Sequence, residues 1–427
     1  MNKNTTNRTE NQNLGFQDVL TEVLRAGAQQ MLRAAIEIEI NTFIEQYKDN
    51  VTESGLQQIV RNGYLPARTI QTGIGNIAVE VPRTRDRGGE GIIFHSALLP
   101  PYLKRTKQMD ELIPWLYLKG ISSGNMHEAL ESLVGPAAKG LSPTNVIRLK
   151  TQWEQDFETF NKRNLSDKQY VYFWVDGIYL EARLEEKQCM LVIIGVRADG
   201  RKELVALSGG FRESEISWKG VLLDLKNRGL AIGPKLAIGD GALGFWKALK
   251  QVYGETKTQR CWVHKTVNVL DKLPQKNQKK AKEKLHEIWM AETKENALKA
   301  FDVFVKTYED KYPKATDCLI KDKDMLLTFY DFPAQHWRHI RTSNAIESTF
   351  ATIRLRTNNT KGCMTLKTGE VMMFKLIHSA EKRWLRIVGS NHLADLIEGI
   401  SFKDGVKNGA AKLTKNSEKI GEQKCAA

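Results

Sequence analysis

The sequence predicts an α/β protein whose central element is a mixed β-sheet in the order βββαβαβ, flanked by helical segments. Two observations lead to this prediction. Three runs rich in β-branched and aromatic residues follow one another between residues 168 and 210, and short apolar strands then alternate with amphipathic helices. A charged stretch with helical periodicity at 265–335 interrupts this pattern, so we expect an all-α insertion within the core.

Length and charge indicate the kind of protein and the kind of partner. The chain has 427 residues, which is too long for one compact core and predicts two to four structural units. Its 64 Lys and Arg exceed its 50 Asp and Glu, and the net charge of +14 indicates a polyanionic partner. Residues 341–427 carry 15 basic and 8 acidic residues, a net charge of +7, so we expect a contact surface there.

The cysteines and the N-terminus indicate an intracellular protein. The first fourteen residues are polar and lack the apolar run of a signal peptide, and no later run is long enough to span a membrane. An odd number of scattered cysteines does not suit a disulfide framework and fits a reducing compartment. These five are Cys189, Cys261, Cys318, Cys363 and Cys425.

The segment 16–165 is predicted to be a mainly helical DNA-binding region, after a disordered N-terminus at 1–15. Within it, alternating runs around a Gly-Ile-Gly-Asn turn predict a β-hairpin near 68–82. Near 124–160, two short helices joined by a Gly/Pro connection resemble a helix-turn-helix, with Arg148 and Lys150 as candidate DNA contacts. A helical hairpin that does not contact DNA has the same pattern.

The remainder of the chain is predicted to form the core and its C-terminal extension. Asp199-Gly200 marks a hairpin turn between the second and third strands. A helical region resumes after the insertion, and a Lys-rich end follows that we expect to be disordered. The predicted ranges are 166–264 for the first part of the core, 265–335 for the insertion, 336–400 for the C-terminal helices and 401–427 for the tail.

Three carboxylates stand out against this framework. The strand order is that of an RNase H-like sheet, in which the middle of the first strand and the end of the fourth lie side by side; Asp176 and Asp240 occupy those places. Two adjacent carboxylates repel each other unless a cation lies between them, and Mg²⁺ or Mn²⁺ prefers such oxygen ligands. Glu347 follows Ile346 at the edge of an apolar helical stripe and is the candidate for the third ligand.

Each of these residues also has an ordinary interpretation. An aspartate at a strand end is usually a turn or cap residue, and a glutamate on a helix is usually solvated. The catalytic interpretation therefore depends on the three residues together.

Several segments resemble one known family. They are "VDGIYLEAR", "ESEISWKGVLLDLKNRGL", "KLAIGDGALGFWKAL", "QRCWVHK" and "HWRHIRTSNAIESTFATIRLRT". In this order they resemble the insertion-sequence transposases of the IS256 family, grouped with the Mutator elements, from about Asn62 to Trp384. The resemblance implies a DDE transposase with an RNase H-like catalytic domain interrupted by a helical insertion. Its three carboxylates fall on Asp176, Asp240 and Glu347.

The resemblance also implies supporting residues. A Cys-x-x-His motif falls on Cys261 and His264, and "HWRH" offers His336 and His339 as a conceivable second half of a zinc site. The family's catalysis is described with Mg²⁺ alone, for which Mn²⁺ can substitute, so zinc is not expected. Residues expected to support the active site or contact DNA are Cys261, His264, Trp337, Arg341, Asn344, Arg354 and Arg356.

A transposase of this kind is expected to cleave DNA at terminal inverted repeats and to join the ends to target DNA. It would act as a homodimer or larger assembly, in the cytoplasm at the nucleoid, without membrane contact. Two alternatives remain open at this point. One is an RNase H-like nuclease without strand transfer, and the other is a helix-turn-helix regulator with an inactive catalytic remnant.

Overall fold

The structure is a computed structural model, and it describes residues 19–122, 125–134, 143–180, 188–210, 212–241, 243–360 and 365–408. The predicted N-terminal segment 1–15 and most of the predicted tail lie outside these residues. The chain divides into two compact units, Met1–Leu149 and Lys150–Ala427. The boundary falls within one helix, α4 (Pro143–Lys162).

The first unit combines a long helix with two antiparallel strand pairs. Strands β2 and β3 pair in the stretch where the sequence indicates a hairpin. A second pair, β1 with β4, was not predicted, because its "IVRNGY" and "PRTRD" segments carry too few apolar residues for a strand signal. The elements are α1 (Val19–Gln46), β1 (Ile59–Tyr64), β2 (Arg68–Thr72), β3 (Gly75–Val79), β4 (Pro82–Asp86), α2 (Lys107–Lys119) and α3 (Met126–Val134).

The apolar side of α1 packs on the hairpin. Ile36 and Ile40 are fully buried against Ile70 and Ile77 in one apolar cluster. In the segment predicted to be helix-turn-helix-like, α3 begins directly after Asn125, and α4 begins at Pro143. The connection at 135–142 lies outside the described residues, so the turn of that motif is not described.

The second unit is built on a five-stranded mixed sheet, which confirms the predicted α/β class. Strand β5 lies at its centre, antiparallel to β6 and parallel to β8, and the spatial order is β7-β6-β5-β8-β9. The strands and their two covering helices are β5 (Tyr170–Leu180), β6 (Gln188–Arg197), β7 (Lys202–Gly210), α5 (Glu215–Asn227), β8 (Leu236–Gly239), α6 (Leu243–Val252) and β9 (Lys257–Arg260).

Helices α5 and α6 cover one face of this sheet. Trp218 and Leu222 of α5 and Phe245 of α6 are almost fully buried, and the rings of Trp218 and Phe245 meet edge to face at 5.0 Å. Ser214 caps α5 by accepting a hydrogen bond from the backbone of Ser217. The middle of β5 and the end of β8, which carry the candidate carboxylates, are thus held on a packed layer.

The rest of the second unit is helical, apart from a two-stranded hairpin near its end. The elements are α7 (Trp262–Leu270), α8 (Gln275–Met290), α9 (Lys294–Tyr308), α10 (Pro313–Ile320), α11 (Lys323–Leu326), 3₁₀ turns at Thr328–Asp331 and Ala334–His336, α12 (Trp337–Ile340), α13 (Asn344–Thr360), α14 (Leu366–Glu381), α15 (His392–Ile397), β10 (Phe402–Lys403) and β11 (Val406–Lys407). Among the described residues, no helix is both long enough and apolar enough to cross a membrane.

Two sequence-based expectations need correction here. The strand predicted through "TQRCWV" ends at Arg260, and Cys261 occupies the N-cap position of α7, because its chain turns toward the insertion at that point. The first residues of the predicted disordered tail are structured instead: Phe402 is buried, and β10 pairs with β11 around a turn in which Gly405 has a φ of 80°.

A buried ionic cluster joins the insertion to the sheet. Asp322, which precedes α11, is hydrogen-bonded to the ammonium group of the fully buried Lys265 and lies 3.4 Å from the guanidinium of Arg260. Lys265 also donates a hydrogen bond to the Cys318 carbonyl at 2.9 Å. One carboxylate thus compensates two buried cations from the end of β9 and the start of α7.

Removing that carboxylate should destabilise the second unit. We expect Asp322→Ala to cost about 3–5 kcal/mol, because Lys265 and Arg260 would remain buried without a counter-charge. Calorimetric melting measures the loss. Asp317→Ala removes an exposed carboxylate from the neighbouring helix and serves as the matched control. An equal effect of the two variants would contradict this role for Asp322.

His336 makes stability depend on pH. Its Nε2 donates to the Gly389 carbonyl at 2.8 Å and its Nδ1 accepts from the Tyr172 hydroxyl at 2.7 Å, while burial lowers its pKa to about 4. The unfolded chain takes up this proton near pH 6.5, so the folded state loses stability as the pH falls from there toward 4.

We expect this histidine to contribute ~2 kcal/mol to the loss of stability between about pH 7 and pH 5. Melting temperatures across this range should therefore fall less steeply for His336→Gln than for the wild type. His95→Gln, at an exposed position, should retain the wild-type slope. If the melting temperatures of His336→Gln and the wild type fall equally steeply with pH, burial of the His336 imidazole does not cause the loss of stability at low pH.

Candidate active site

Parallel pairing of β5 with β8 brings two of the predicted carboxylates side by side. Val175 is in register with Gly239, so the next residues, Asp176 and Asp240, lie at neighbouring positions on adjacent strands. Paired strands lie about 4.8 Å apart, so the two residues are side by side on neighbouring inner strands of the sheet. Each side chain accepts a hydrogen bond from the backbone of the following glycine, Gly177 or Gly241.

The surroundings of Asp176 favour its neutral form. Burial is the main reason that its pKa is raised to about 7, and the negative charges of Glu213 and Asp240 add to the effect. The positive charge of His264 and the hydrogen bond from Gly177 oppose it. An ionised Asp176 therefore needs more positive charge nearby than these residues supply, and a bound cation would provide it.

Glu347 reaches the site in the first turn of α13, which packs against β5. As the sequence predicts, Ile346, Phe350 and Ile353 are fully buried on one side of this helix. Glu347 lies beside that stripe and is partly exposed. The long insertion therefore separates Glu347 from the aspartates in sequence, while its helix packs against the strand that carries Asp176.

The segment before α13 is fixed to the sheet by hydrogen bonds. The Trp174 indole donates to the His339 carbonyl at 3.1 Å, and the backbone of Trp262 donates to the Arg341 carbonyl at 3.0 Å. Because Trp174 is two residues from Asp176, its contact ties the segment before α13 to the strand that carries the first aspartate, and the contact of Trp262 ties the same segment to the start of α7.

His264 lies among the three carboxylates. Its Nδ1 is 3.7 Å from Glu347 Oε1, and its charge acts on Asp176 and Asp240 as well. A hydrogen bond with Cys261, followed by the negative charges of Asp240 and Glu347, raises the pKa of His264 to about 9, although burial opposes this. The imidazolium is thus the positive group that partly offsets the acidic site.

Glu213 is a further acidic residue that the sequence did not indicate. It lies between β7 and α5, and its carboxylate covers Gly177 so closely that a Cβ there would collide with it. Burial, and then the charge of Asp240, raises the pKa of Glu213. In the sequence it stands just before a helix, where an acidic residue is common for reasons unrelated to catalysis, so only the fold shows its position.

Cys261 and His264 do not combine with His336 and His339. The ligand atoms of Cys261, His264 and Glu347 lie within 4.8 Å of one another. His336 is hydrogen-bonded to Tyr172 and Gly389, and the Nε2 atom of His339 accepts from the backbone of Val388. The conceivable four-residue zinc arrangement is therefore not formed by these side chains.

Two predicted DNA contacts are buried. Trp337 is 8% exposed, its indole donates to the Phe332 carbonyl, and its ring packs on Phe329 and Tyr330, so no base can stack on it in this conformation. The Arg341 guanidinium is 4.6 Å from the ring centroid of Phe329 and is also largely buried. Both residues support the fold near the site rather than offering a DNA surface.

The other predicted contacts lie at or near the surface. Asn344, at the start of α13, and Arg354, in the same helix, are exposed, and the side chain of Arg356 lies outside the described set. On α4, Arg148 is exposed and Lys150 is partly buried. Their contact with DNA stays a prediction.

Comparison with known proteins places this architecture in a family. The model of the Mutator family of transposases matches residues 1–380. The chain is 50% identical over 288 residues, 66% of its length, to 95% of a transposase for insertion sequence element IST2 of Acidithiobacillus ferrooxidans. It is also 50% identical to a transposase for insertion sequence element IS6120 of Mycolicibacterium smegmatis, over 299 residues that make up 70% of this chain and 92% of that protein.

A more distant relative covers much of the same region. The transposase for IS256 in transposon Tn4001 of Staphylococcus aureus is 29% identical over 307 residues, which is 70% of this chain and 75% of that protein. With a family model that spans most of its length and two relatives at 50% identity, the chain belongs to the Mutator family of transposases.

Proposed function

We propose that this protein is the DDE transposase of an insertion sequence, with an RNase H-like core in which Asp176, Asp240 and Glu347 hold divalent cations. One observation carries the proposal. It is the pairing of β5 with β8, which puts Asp176 and Asp240 on adjacent strands, together with the packing of α13, the helix of Glu347, against β5. The names of the relatives, transposases for insertion sequence elements, support the substrate assignment.

The residues present suit Mg²⁺ or Mn²⁺. Asp176, Asp240 and Glu347 offer only carboxylate oxygens, the ligands that these cations prefer. The raised pKa of Asp176 supports the fit, because a cation would offset the repulsion that burial and its acidic neighbours create. When bound, such cations lower the pKa of an attacking water and offset negative charge on the leaving oxygen.

The chain's own residues would position the groups that react. Asp176 and Asp240 lie on packed strands, and Glu347 lies on a helix whose start is hydrogen-bonded to the sheet, so the three carboxylates keep a fixed arrangement. The imidazolium of His264 keeps one positive charge at the site and can hold a proton beside Glu347. No side chain is required as a covalent nucleophile.

The reaction would proceed in two displacements at phosphorus. Water attacks a phosphodiester at the element's end, the P–O bond to the 3′ oxygen breaks, and a free 3′-hydroxyl results. That hydroxyl then attacks a phosphodiester of target DNA and displaces its 3′ oxygen, so one bond forms for each bond broken. The joining of two ends requires at least two end-binding sites, which a homodimer or larger assembly supplies.

DNA recognition would be divided between the units. We assign the terminal inverted repeats to the N-terminal unit, with Arg148 as a phosphate contact and with Lys150, the first residue of the second unit, as another. Exposed Arg354 continues the helix of Glu347 and would approach the DNA backbone near the cleaved bond. The net charge of +14 supports such contacts and makes the affinity salt-dependent.

Neutral variants of the three carboxylates test the catalytic assignment. We expect Asp176→Asn, Asp240→Asn and Glu347→Gln each to reduce end cleavage and strand transfer by about a thousandfold or more, with end binding retained. Oligonucleotides that carry the inverted repeats, incubated with Mg²⁺ and resolved on gels, report both products. Glu255→Gln, at an exposed loop position, is the matched control.

Two outcomes would redirect the proposal. Nicks without any joined product would favour a nuclease that lacks strand transfer. Unchanged DNA transactions in Asp176→Asn would favour a DNA-binding regulator with an inactive catalytic remnant.

Asp176 should weaken the fold when no metal is bound. Its folded pKa of about 7 lies above the unfolded value, so the unfolded chain loses this proton first and stability falls as pH rises between the two values. At about pH 8 in EDTA, we therefore expect Asp176→Asn to melt at a higher temperature than the wild type. Mn²⁺ should raise the melting temperature of the wild type more than that of the variant. If Asp176→Asn melts at a lower temperature than the wild type in EDTA, the ionised Asp176 carboxylate does not destabilise the metal-free fold as we expect.

A further inference from the structure

We propose that Ser343 is a positioning residue that, with Cys261 and His264, holds the carboxylate of Glu347 at the active site. The inference rests on the proposed role of Glu347 and deepens it. It concerns the Cys-x-x-His pair, in which the catalytic proposal gives His264 a charge role and gives Cys261 none. The observation that carries it is the central place of one buried hydroxyl among three functional side chains.

Ser343 Oγ is the common neighbour of the cluster. It lies 2.6 Å from Glu347 Oε1, 3.3 Å from His264 Nδ1 and 3.2 Å from Cys261 Sγ. The backbone N–H of Ser343 also donates to Cys261 Sγ at 3.2 Å. Ser343 is fully buried and Cys261 is 1% exposed, whereas the side chains of His264 and Glu347 are 31% and 32% exposed, so the serine end of each contact is shielded from water. Shielded hydrogen bonds to a charged acceptor are stronger than exposed ones.

The single proton of the hydroxyl fixes the direction of the contacts. A carboxylate is the strongest acceptor of the three, and its contact is the shortest, so Ser343 donates to Glu347. The lone pairs of Oγ are then free to accept from the His264 Nδ1–H. This arrangement gives Oε1 of Glu347 one defined donor and leaves Oε2 for another partner, which is what a metal-binding carboxylate requires.

The anchor of this cluster is the strand that carries Asp240. The backbone N–H of Cys261 donates to the carbonyl of Gly239 at 2.9 Å, directly before Asp240. Cys261 then contacts Ser343, and Ser343 contacts Glu347. A short series of contacts therefore joins the second aspartate to the glutamate, and it sets the spacing between two carboxylates that lie 107 residues apart in sequence.

The same geometry disfavours a thiophilic metal at Cys261, His264 and Glu347. Their ligand atoms lie close enough for one ion. However, the hydroxyl of Ser343 already lies within 3.3 Å of one atom of each of the three, so an ion would compete with it for these side chains. Such an ion would also occupy Glu347 Oε1. The geometry thus points to a hydrogen-bonded support for Glu347.

Ser343 variants separate positioning from folding. We expect Ser343→Ala to slow end cleavage by about 10–100-fold, the range typical of residues that orient a metal ligand. It should also raise the Mn²⁺ concentration needed for half-maximal cleavage, while inverted-repeat binding stays at the wild-type level. A purely structural role would not shift this Mn²⁺ dependence. Ser343→Thr keeps the hydroxyl and should restore most of the activity.

Controls keep the test decisive. Ser348→Ala removes an exposed hydroxyl from the same helix and should leave both cleavage and the Mn²⁺ dependence unchanged. If Ser343→Ala melts too low to assay, Ser343→Cys keeps the side-chain volume with a poor donor and should show the same defect. Wild-type cleavage and Mn²⁺ dependence in a folded Ser343→Ala or Ser343→Cys would overturn the proposal.

Two further measurements distinguish a failure of this inference from a failure of the proposed catalytic role of Glu347. If Glu347→Gln retains full activity, Glu347 has no catalytic role and the proposed function fails at this residue. If Glu347→Gln is inactive but Ser343→Ala is as active as the wild type, the positioning role of Ser343 fails and the catalytic proposal stands. Co²⁺ titration of the full chain tests whether Cys261, His264 and Glu347 bind a thiophilic metal ion instead. We expect no thiolate-to-Co²⁺ absorption band. Binding of one equivalent of Co²⁺ with such a band in the wild type, and loss of the band in Cys261→Ser, would overturn the proposed hydrogen-bonded support.

Discussion

The parallel pairing of β5 with β8 is the constraint on which the rest of the site depends. Asp176 and Asp240 cannot move apart without breaking the backbone ladder between the two central strands. Their repulsion is therefore built into the sheet, and Glu213 increases it from a neighbouring loop. The imidazolium of His264 offsets part of that charge, and a divalent cation, for which carboxylates are suitable ligands, would offset more.

The insertion and the segment before α13 contribute two things that the sheet alone does not: a counter-charge for Arg260 and the placement of the helix that carries Glu347. Arg260 packs over Gly241, beside Asp240, and its charge is compensated by Asp322 from the insertion. On the other side, hydrogen bonds from Trp174 and Trp262 fix the segment that leads to Glu347. The charge balance beside one aspartate and the placement of the glutamate thus depend on residues far away in sequence.

The sequence predicted the features that leave a periodic pattern. Alternating apolar runs gave the strands, and the stripe of Ile346, Phe350 and Ile353 gave the buried side of α13, as the structure shows. The contacts of individual side chains leave no such pattern. Glu213 resembled a residue that precedes a helix, and Trp337 resembled a surface aromatic although it is buried; both depend on how distant segments pack. Cys261 appeared to continue a strand because a strand end and a helix start look alike when both are apolar.

The wide spacing of the carboxylates has a consequence for biosynthesis. Residues 1–149 form a compact unit whose sequence is complete before Asp176 is made. A ribosome that adds about 5–20 residues per second needs roughly 10–30 s more to travel from Asp176 to Glu347. Once Asp240 has also been added, the nascent chain carries the two aspartates without the helix that bears Glu347. The proposed set of three carboxylates is therefore complete only late in translation, after the ribosome has passed the insertion.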